Sequence, residues 1–459
     1  MKIVWIVISI TAAVSLSVVV GIINPTEKIN ALWLVVAAGC FYVITYRFYA
    51  SFIAAKVLSI DENRTTPAQR IFDGIDYHPT NRWILFGHHF AAIAGAGPLI
   101  GPMLAAQFGY LPGFLWILIG SALGGTVHDT VILFASVRRN GKSLAQIAGD
   151  EIGPVGGIAA SLAILFIIIV ALAGLGLAVV NALSQSPWGT FTIALTIPIA
   201  LFMGIYLYRI RPGKVAEMSA IGVLLLFIAV FSGHYVPGSF LDPLTIFQKT
   251  ALFGMASIFS AIPGMKGLMP YWYNFALMFE ALFILTTVDA GTRVARFLLQ
   301  ELGGKVYKPL SKTQWLPGNI GASLLVVCAW GYLIYSGNIS SIWPMFGVAN
   351  QLLAAVAFGV GTTVIVKSGK LKYAWVTFIP MVFMFATTLT ASYQLIELFR
   401  DKAAHALSGA DALTFKIDAF LVFFMAALAV IVLKDMVVKF YRYLSGRVEV
   451  IKKEIDFRG

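Results

Sequence analysis

The chain has 459 residues, of which 59% are hydrophobic and only 12% charged. Many uncharged runs reach the roughly 20 residues that cross a bilayer, which excludes a soluble globular protein. A net charge of +12 would suit nucleic acid, but the basic residues sit in short loops between apolar spans, where the positive-inside bias accounts for them and excludes nucleic acid as a partner.

In chain order, the apolar runs and their charged ends predict an all-α polytopic membrane protein of about twelve transmembrane helices. The spans are 3–23, 31–57, 83–108, 111–136, 155–182, 188–208, 215–236, 270–291, 316–336, 342–366, 373–396 and 417–434. The first run follows a single Lys2, as a secretory signal would, but it is long and no Ala-x-Ala site closes it. It is read as a retained span. Cys40 and Cys328 fall inside spans and read as packed apolar side chains rather than a disulfide.

The third run, Trp83 to Phe108, is interrupted at Gly95-x-Gly97-Pro98 and again at Gly101-Pro102. Proline removes a backbone donor, and the carbonyls it frees at membrane depth must face protein or a water-filled cavity. Broken helices of this kind line the substrate sites of secondary transporters, which makes Gly95, Gly97, Pro98 and Gly101 candidate substrate-binding positions. A structural alternative is a kinked helix whose Ala91, Gly95, Gly97 and Gly101 let neighbours approach closely.

With the N-terminus in the cytoplasm, all Lys and Arg fall on the inner side except Lys28, Lys249, Lys266, Arg400, Lys402 and Lys416. That asymmetry supports an even number of spans with both termini cytoplasmic. Charge and hydropathy thus divide the chain into two leading helices with a cytoplasmic loop (1–69), a first helical repeat (70–236), an outer segment (237–269), a second repeat (270–434) and a basic tail (435–459). Within the outer segment, the mildly apolar residues 243–269 are expected to form an amphipathic or re-entrant helix.

Several ionisable residues lie inside spans, where each is costly and marks a functional hypothesis. His88 and His89 near the inner end of the third span, His128 and Asp129 in the fourth and Asp289 in the eighth are expected at a similar depth, as proton carriers or metal ligands. Neighbours on a helix differ by about 100° in direction, so one of each adjacent pair should face the bundle. Histidine and carboxylate suit zinc, so His88, His89, His128 and Asp129 are the residues a divalent metal would use, although no HExxH or CxxC spacing accompanies them. The structural alternatives are a histidine bonded to a backbone carbonyl and an Asp289–Arg293 pair at i+4.

Glu280 lies mid-span, nine residues before Asp289, so the two face nearly opposite sides and need different partners. A mid-membrane carboxyl is either protonated or paired, which makes Glu280 a candidate for proton coupling. In the tenth span, Asn350 and Gln351 sit about two turns inside the outer face, where amides either bind substrate or bond neighbouring helices.

Four segments carry a dense resemblance: 74–113 (GIDYHPTNRWILFGHHFAAIAGAGPLIGPMLAAQFGYLPG), 125–144 (GTVHDTVILFASVRRNGKSL), 278–301 (MFEALFILTTVDAGTRVARFLLQE) and 343–356 (WPMFGVANQLLAAV). The chain resembles the carbon starvation protein A family. The resemblance implies a bacterial inner-membrane carrier for peptides or pyruvate, coupled to protons and grouped with amino acid–polyamine–organocation carriers. Those carriers have two inverted five-helix repeats, each with a broken first helix, so spans three to seven and eight to twelve would be the repeats. Longer members carry further segments where this chain passes from 236 to 250, which leaves the second broken helix open.

The expectation is therefore a transporter working by alternating access, with no enzymatic activity, whose partners are a small carboxylate or peptide substrate, protons and membrane lipid. Half-helix N-termini at the break would attract a carboxylate. A membrane sensor or metal-binding subunit without transport is the alternative, and a large soluble signalling domain would be its sign.

Overall fold

Backbone polar groups in hydrocarbon have no water to turn to, so an apolar run must satisfy them within a helix or a closed barrel. The computed structural model of the chain takes the first solution, with helices and no strand among the described residues. It describes residues 2–21, 31–61, 63–74, 77–93, 101, 109–184, 186–232, 260, 264–312, 315–336 and 339–445.

Helix α1 (Lys2–Val20) packs on α2 (Ala31–Ile44), which continues to Leu58 through wider π turns. Short α3 (Pro67–Arg70) precedes α4 (Arg82–Ile93). Helix α5 (Tyr110–Ile119) runs through a π turn at Gly120–Gly125 into α6 (Thr126–Arg138). Asn140 and Gly141 then take left-handed backbone, φ 59° and 71°, which reverses the chain.

The reversal leads into α7 (Leu144–Ile152), whose N-terminus carries a capping box between Ser143 and Gln146. Helices α8 (Pro154–Leu183), α9 (Pro187–Ile205) and α10 (Val215–Ser232) complete the first half. The second half holds α11 (Met269–Gly304), α12 (Leu316–Ser336), α13 (Ile339–Lys367), α14 (Trp375–Ala404) and α15 (Gly409–Leu444).

Eleven helical stretches among the described residues are long and apolar enough to cross a membrane, and each matches one of the twelve expected spans. The remaining one, 83–108, is described only over Arg82–Ile93 and at Gly101. Three helices, α11, α14 and α15, outrun their expected bounds by eight residues or more, and α11 and α15 each have 36 residues, about 54 Å of helix against a hydrocarbon thickness of roughly 30 Å. Their ends carry charged residues that apolar runs omit but that a helix accommodates in the interface. Of the expected amphipathic segment at 243–269 only residues 260 and 264–269 are described, the latter as a 3-10 turn at Lys266–Leu268 that leads into α11. Cys40 and Cys328 are unpaired, and Cys328 is exposed rather than packed.

The core is built on α8 and α13, the two most buried of the described spans, with 61% and 78% of their apolar stretches inside the protein. Ala160, Ala163, Ile167 and Val170 of α8 and Leu352, Ala355, Val356 and Val360 of α13 belong to one fully buried cluster. Small residues allow the approach: a methyl at Gly174 would lie 3.0 Å from Phe346, and one at Gly361 would lie 2.9 Å from Val131, the close packing expected where lipid removes the hydrophobic drive between helices.

Four loops expected on the cytoplasmic side meet at one end. Lys370 donates to Ser59 at 2.6 Å, Arg70 donates to the Asn140 side chain, and the Tyr77 hydroxyl donates to the Asn140 carbonyl at 2.7 Å. Ser143 donates to Glu301 at 3.3 Å.

Candidate functional site

Between Ile342 and Val366 the exposed residues of α13 are Gly347, Asn350 and Gln351. Offsets of three and four place them on one face. Amides turned to hydrocarbon at this depth would be costly, so an exposed face on an otherwise buried helix reads as an opening to water or ligand inside the bundle. The space there is real: a methyl added at Gly347 would meet nothing within 4 Å. Asn350 makes no hydrogen bond to the described residues, while Gln351 accepts one from Thr388 of α14 at 3.4 Å.

Seven residues after Gln351, and so on the same face, stands Phe358, 2% exposed. The His128 ring lies against it with centroids 5.4 Å apart, and a methyl at Gly124 would reach it at 4.0 Å. Helix α6 and the turn before it therefore cover the half of this face nearer Lys367 and leave the half around Gly347 open. His128 and Gln351 end up along one line of α13.

The other sequence candidates lie elsewhere. Gly95, Gly97 and Pro98 are outside the described residues; Gly101 is helical and half-buried, with open space around it. His88 and His89 are exposed on α4, which rests on α11 through Phe90 and Phe283, ring centroids 5.7 Å apart. His128 Nδ1 and Asp129 Oδ1 are 2.6 Å apart, and Asp129 is the more exposed of the two. Among the described residues no three His, Cys, Asp or Glu side chains gather as a metal shell needs. The expected convergence of five groups fails there because α4 leans on α11 while α6 lies across α13.

On α11 the two carboxylates face apart, as nine residues of separation require. Asp289 pairs with Arg293 at 3.0 Å, and both side chains are exposed. Glu280 is buried, 7% exposed, and makes no ion pair or hydrogen bond with the described residues.

Sequence reasoning missed Glu151. Its carboxylate is 1% exposed, with Arg139 Nη2 at 2.5 Å and Lys367 Nζ at 3.3 Å, the latter an ion pair without hydrogen-bond alignment. Helix α7 thus ties the end of α6 to the end of α13. The capping box at Ser143 and the amphipathic run after it were signals for the helix; nothing in the sequence joins Glu151 to Lys367.

Comparison with known proteins fits this architecture. The family model described as "Carbon starvation protein CstA" matches residues 30–253 and 245–391. The chain belongs to that family. Its relatives include the "Peptide transporter CstA" of Bacillus subtilis (strain 168), 34% identical over 80% of this chain and 91% of the relative. The protein of the same name from Escherichia coli (strain K12) is 34% identical over 85% of this chain and 84% of the relative. The "Pyruvate/proton symporter BtsT" of Escherichia coli (strain K12) is 32% identical over 84% of each chain. No solved structure matches the chain.

Proposed function

We propose that this protein is a secondary transporter of the bacterial inner membrane that imports pyruvate or short peptides with protons during carbon starvation, and that the open face of α13 is part of its substrate site. The observation that carries the proposal is the exposure of Gly347, Asn350 and Gln351 on the most buried of the described spans. Relatives named for peptide transport and for pyruvate/proton symport supply the substrate classes. Both classes carry a carboxylate, which amide donors and the break at Gly95, Gly97, Pro98 and Gly101 would receive.

Proton coupling falls to Glu280 first, with His128 and Asp129 next and Asp289 last, since Asp289 is exposed and paired with the permanent cation of Arg293. His88, His89, His128 and Asp129 would need α4 to move before they could share a zinc ion. Two inverted five-helix repeats fit the packing: α8 and α13 are each third in their set of five, and they form the core together. The basic loops gathered at one end support a cytoplasmic placement for that end and for both termini.

The test is uptake of labelled pyruvate and labelled dialanine into proteoliposomes, with and without an imposed pH gradient. Accumulation of either, enhanced by an inward proton gradient, is expected; no uptake of either would overturn the substrate assignment.

A further inference from the structure

Thr388 is fully buried on α14, 0% exposed. A hydroxyl within a helix often returns to the carbonyl three or four residues back, and Thr362, Thr363, Thr387 and Thr390 all do so. Thr388 instead sends its proton across to α13 and donates to Gln351 Oε1 at 3.4 Å. Its own carbonyl is held by Ser392, which donates to it at 2.8 Å, so this turn of α14 is fixed from below. A hydroxyl has one proton, and the side-chain oxygen is the acceptor of a glutamine. Once that oxygen is engaged by Thr388, what Gln351 offers the open face is its two N–H donors.

We infer that Thr388 is a positioning residue that fixes the polarity of Gln351, so that the site receives an acceptor group of the substrate, its carboxylate, at Gln351. The inference rests on the substrate site proposed above. It also orients the ligand: the carboxylate of pyruvate, or the C-terminal carboxylate of a dipeptide, lies against the α13–α14 seam, and an ammonium end points away from it. Asn350, free of partners among the described residues, adjoins the same opening and supplies a second amide.

The experiment measures KM and maximal rate for pyruvate and for dialanine in proteoliposomes for four variants. Thr388→Val keeps the shape and removes the donor, and it should raise KM about tenfold, the worth of one oriented hydrogen bond to a charged group, with the maximal rate changed less than about twofold. Thr388→Ser keeps the donor and should behave as the wild type. Gln351→Glu still accepts from Thr388 but sets a negative charge where the donors were, so it should impair uptake more than Gln351→Ala does.

A wild-type KM in Thr388→Val, or equal impairment by Gln351→Glu and Gln351→Ala, with Gln351→Ala itself impaired, overturns the positioning role and leaves the site standing. Wild-type transport by Gln351→Ala overturns the site and the inference together. If Thr388→Val fails to accumulate in the membrane, Gln351→Glu against Gln351→Ala decides the polarity without it.

Discussion

Glu151 and Glu280 are both buried carboxyls, 1% and 7% exposed, and the protein treats them in opposite ways. Glu151, at the end of the bundle where α6 and α13 finish, has two cations against it and joins three helices. Glu280, a third of the way along α11, has no ion pair or hydrogen bond with the described residues. A buried charge that is paired is a structural commitment, because removing one partner strands the others. A buried acid without a partner costs free energy that packing does not return, so its retention points to what it does in the working cycle. The same contrast separates the amides at Asn350 and Gln351, which face open space, from the hydroxyls at Thr362 and Thr377, which bond each other at 2.8 Å inside the core.

The largest effect should come from breaking the paired region. Glu151→Ala leaves Arg139 and Lys367 with uncompensated charge and should cost about 3–5 kcal/mol of stability, seen as a marked fall in the thermal unfolding temperature in detergent. Unchanged unfolding would show that the two cations find water and that the network holds nothing.

Glu280→Gln should do the reverse. It keeps shape and hydrogen bonding, so unfolding should stay near that of the wild type. Uptake against a gradient should be lost while counterflow of bound substrate continues, since an amide cannot exchange a proton. Concentrative uptake at the wild-type level would remove Glu280 from coupling and leave His128 and Asp129 as the next pair to test. The smallest effect belongs to Asp289→Asn: its pair with Arg293 is exposed on both sides, and losing it should change stability by less than about 0.5 kcal/mol. A larger loss in unfolding experiments would mean that Asp289 has a second role.

Helix existence was legible because hydrocarbon enforces it; eleven spans match runs read from composition. Helix length was not, because α11 and α15 continue through charged ends that hydropathy cannot claim. Asn350, Gln351 and Glu280 stood out as polar residues within apolar runs, and the structure distinguishes them further, into exposed amides and a buried acid. Thr388 gave no signal, since a threonine in a membrane helix usually satisfies itself. The bond between Glu151 and Lys367 joins residues more than 200 positions apart, and only the packing of α7 against α8 and α13 brings them together. His88 and His89 looked equivalent to His128 in the sequence; their difference comes from which neighbour each helix packs on.

The open face of α13 is the claim on which the rest depends, and thiol accessibility tests it most directly. Asn350→Cys, in a background with Cys40→Ser and Cys328→Ser, should react with a membrane-impermeant methanethiosulfonate reagent applied to proteoliposomes, and saturating pyruvate or dialanine should slow that reaction at least severalfold. A cysteine at this position that stays unlabelled from both sides of the membrane, or is labelled at a rate neither substrate changes, would contradict a substrate site on α13.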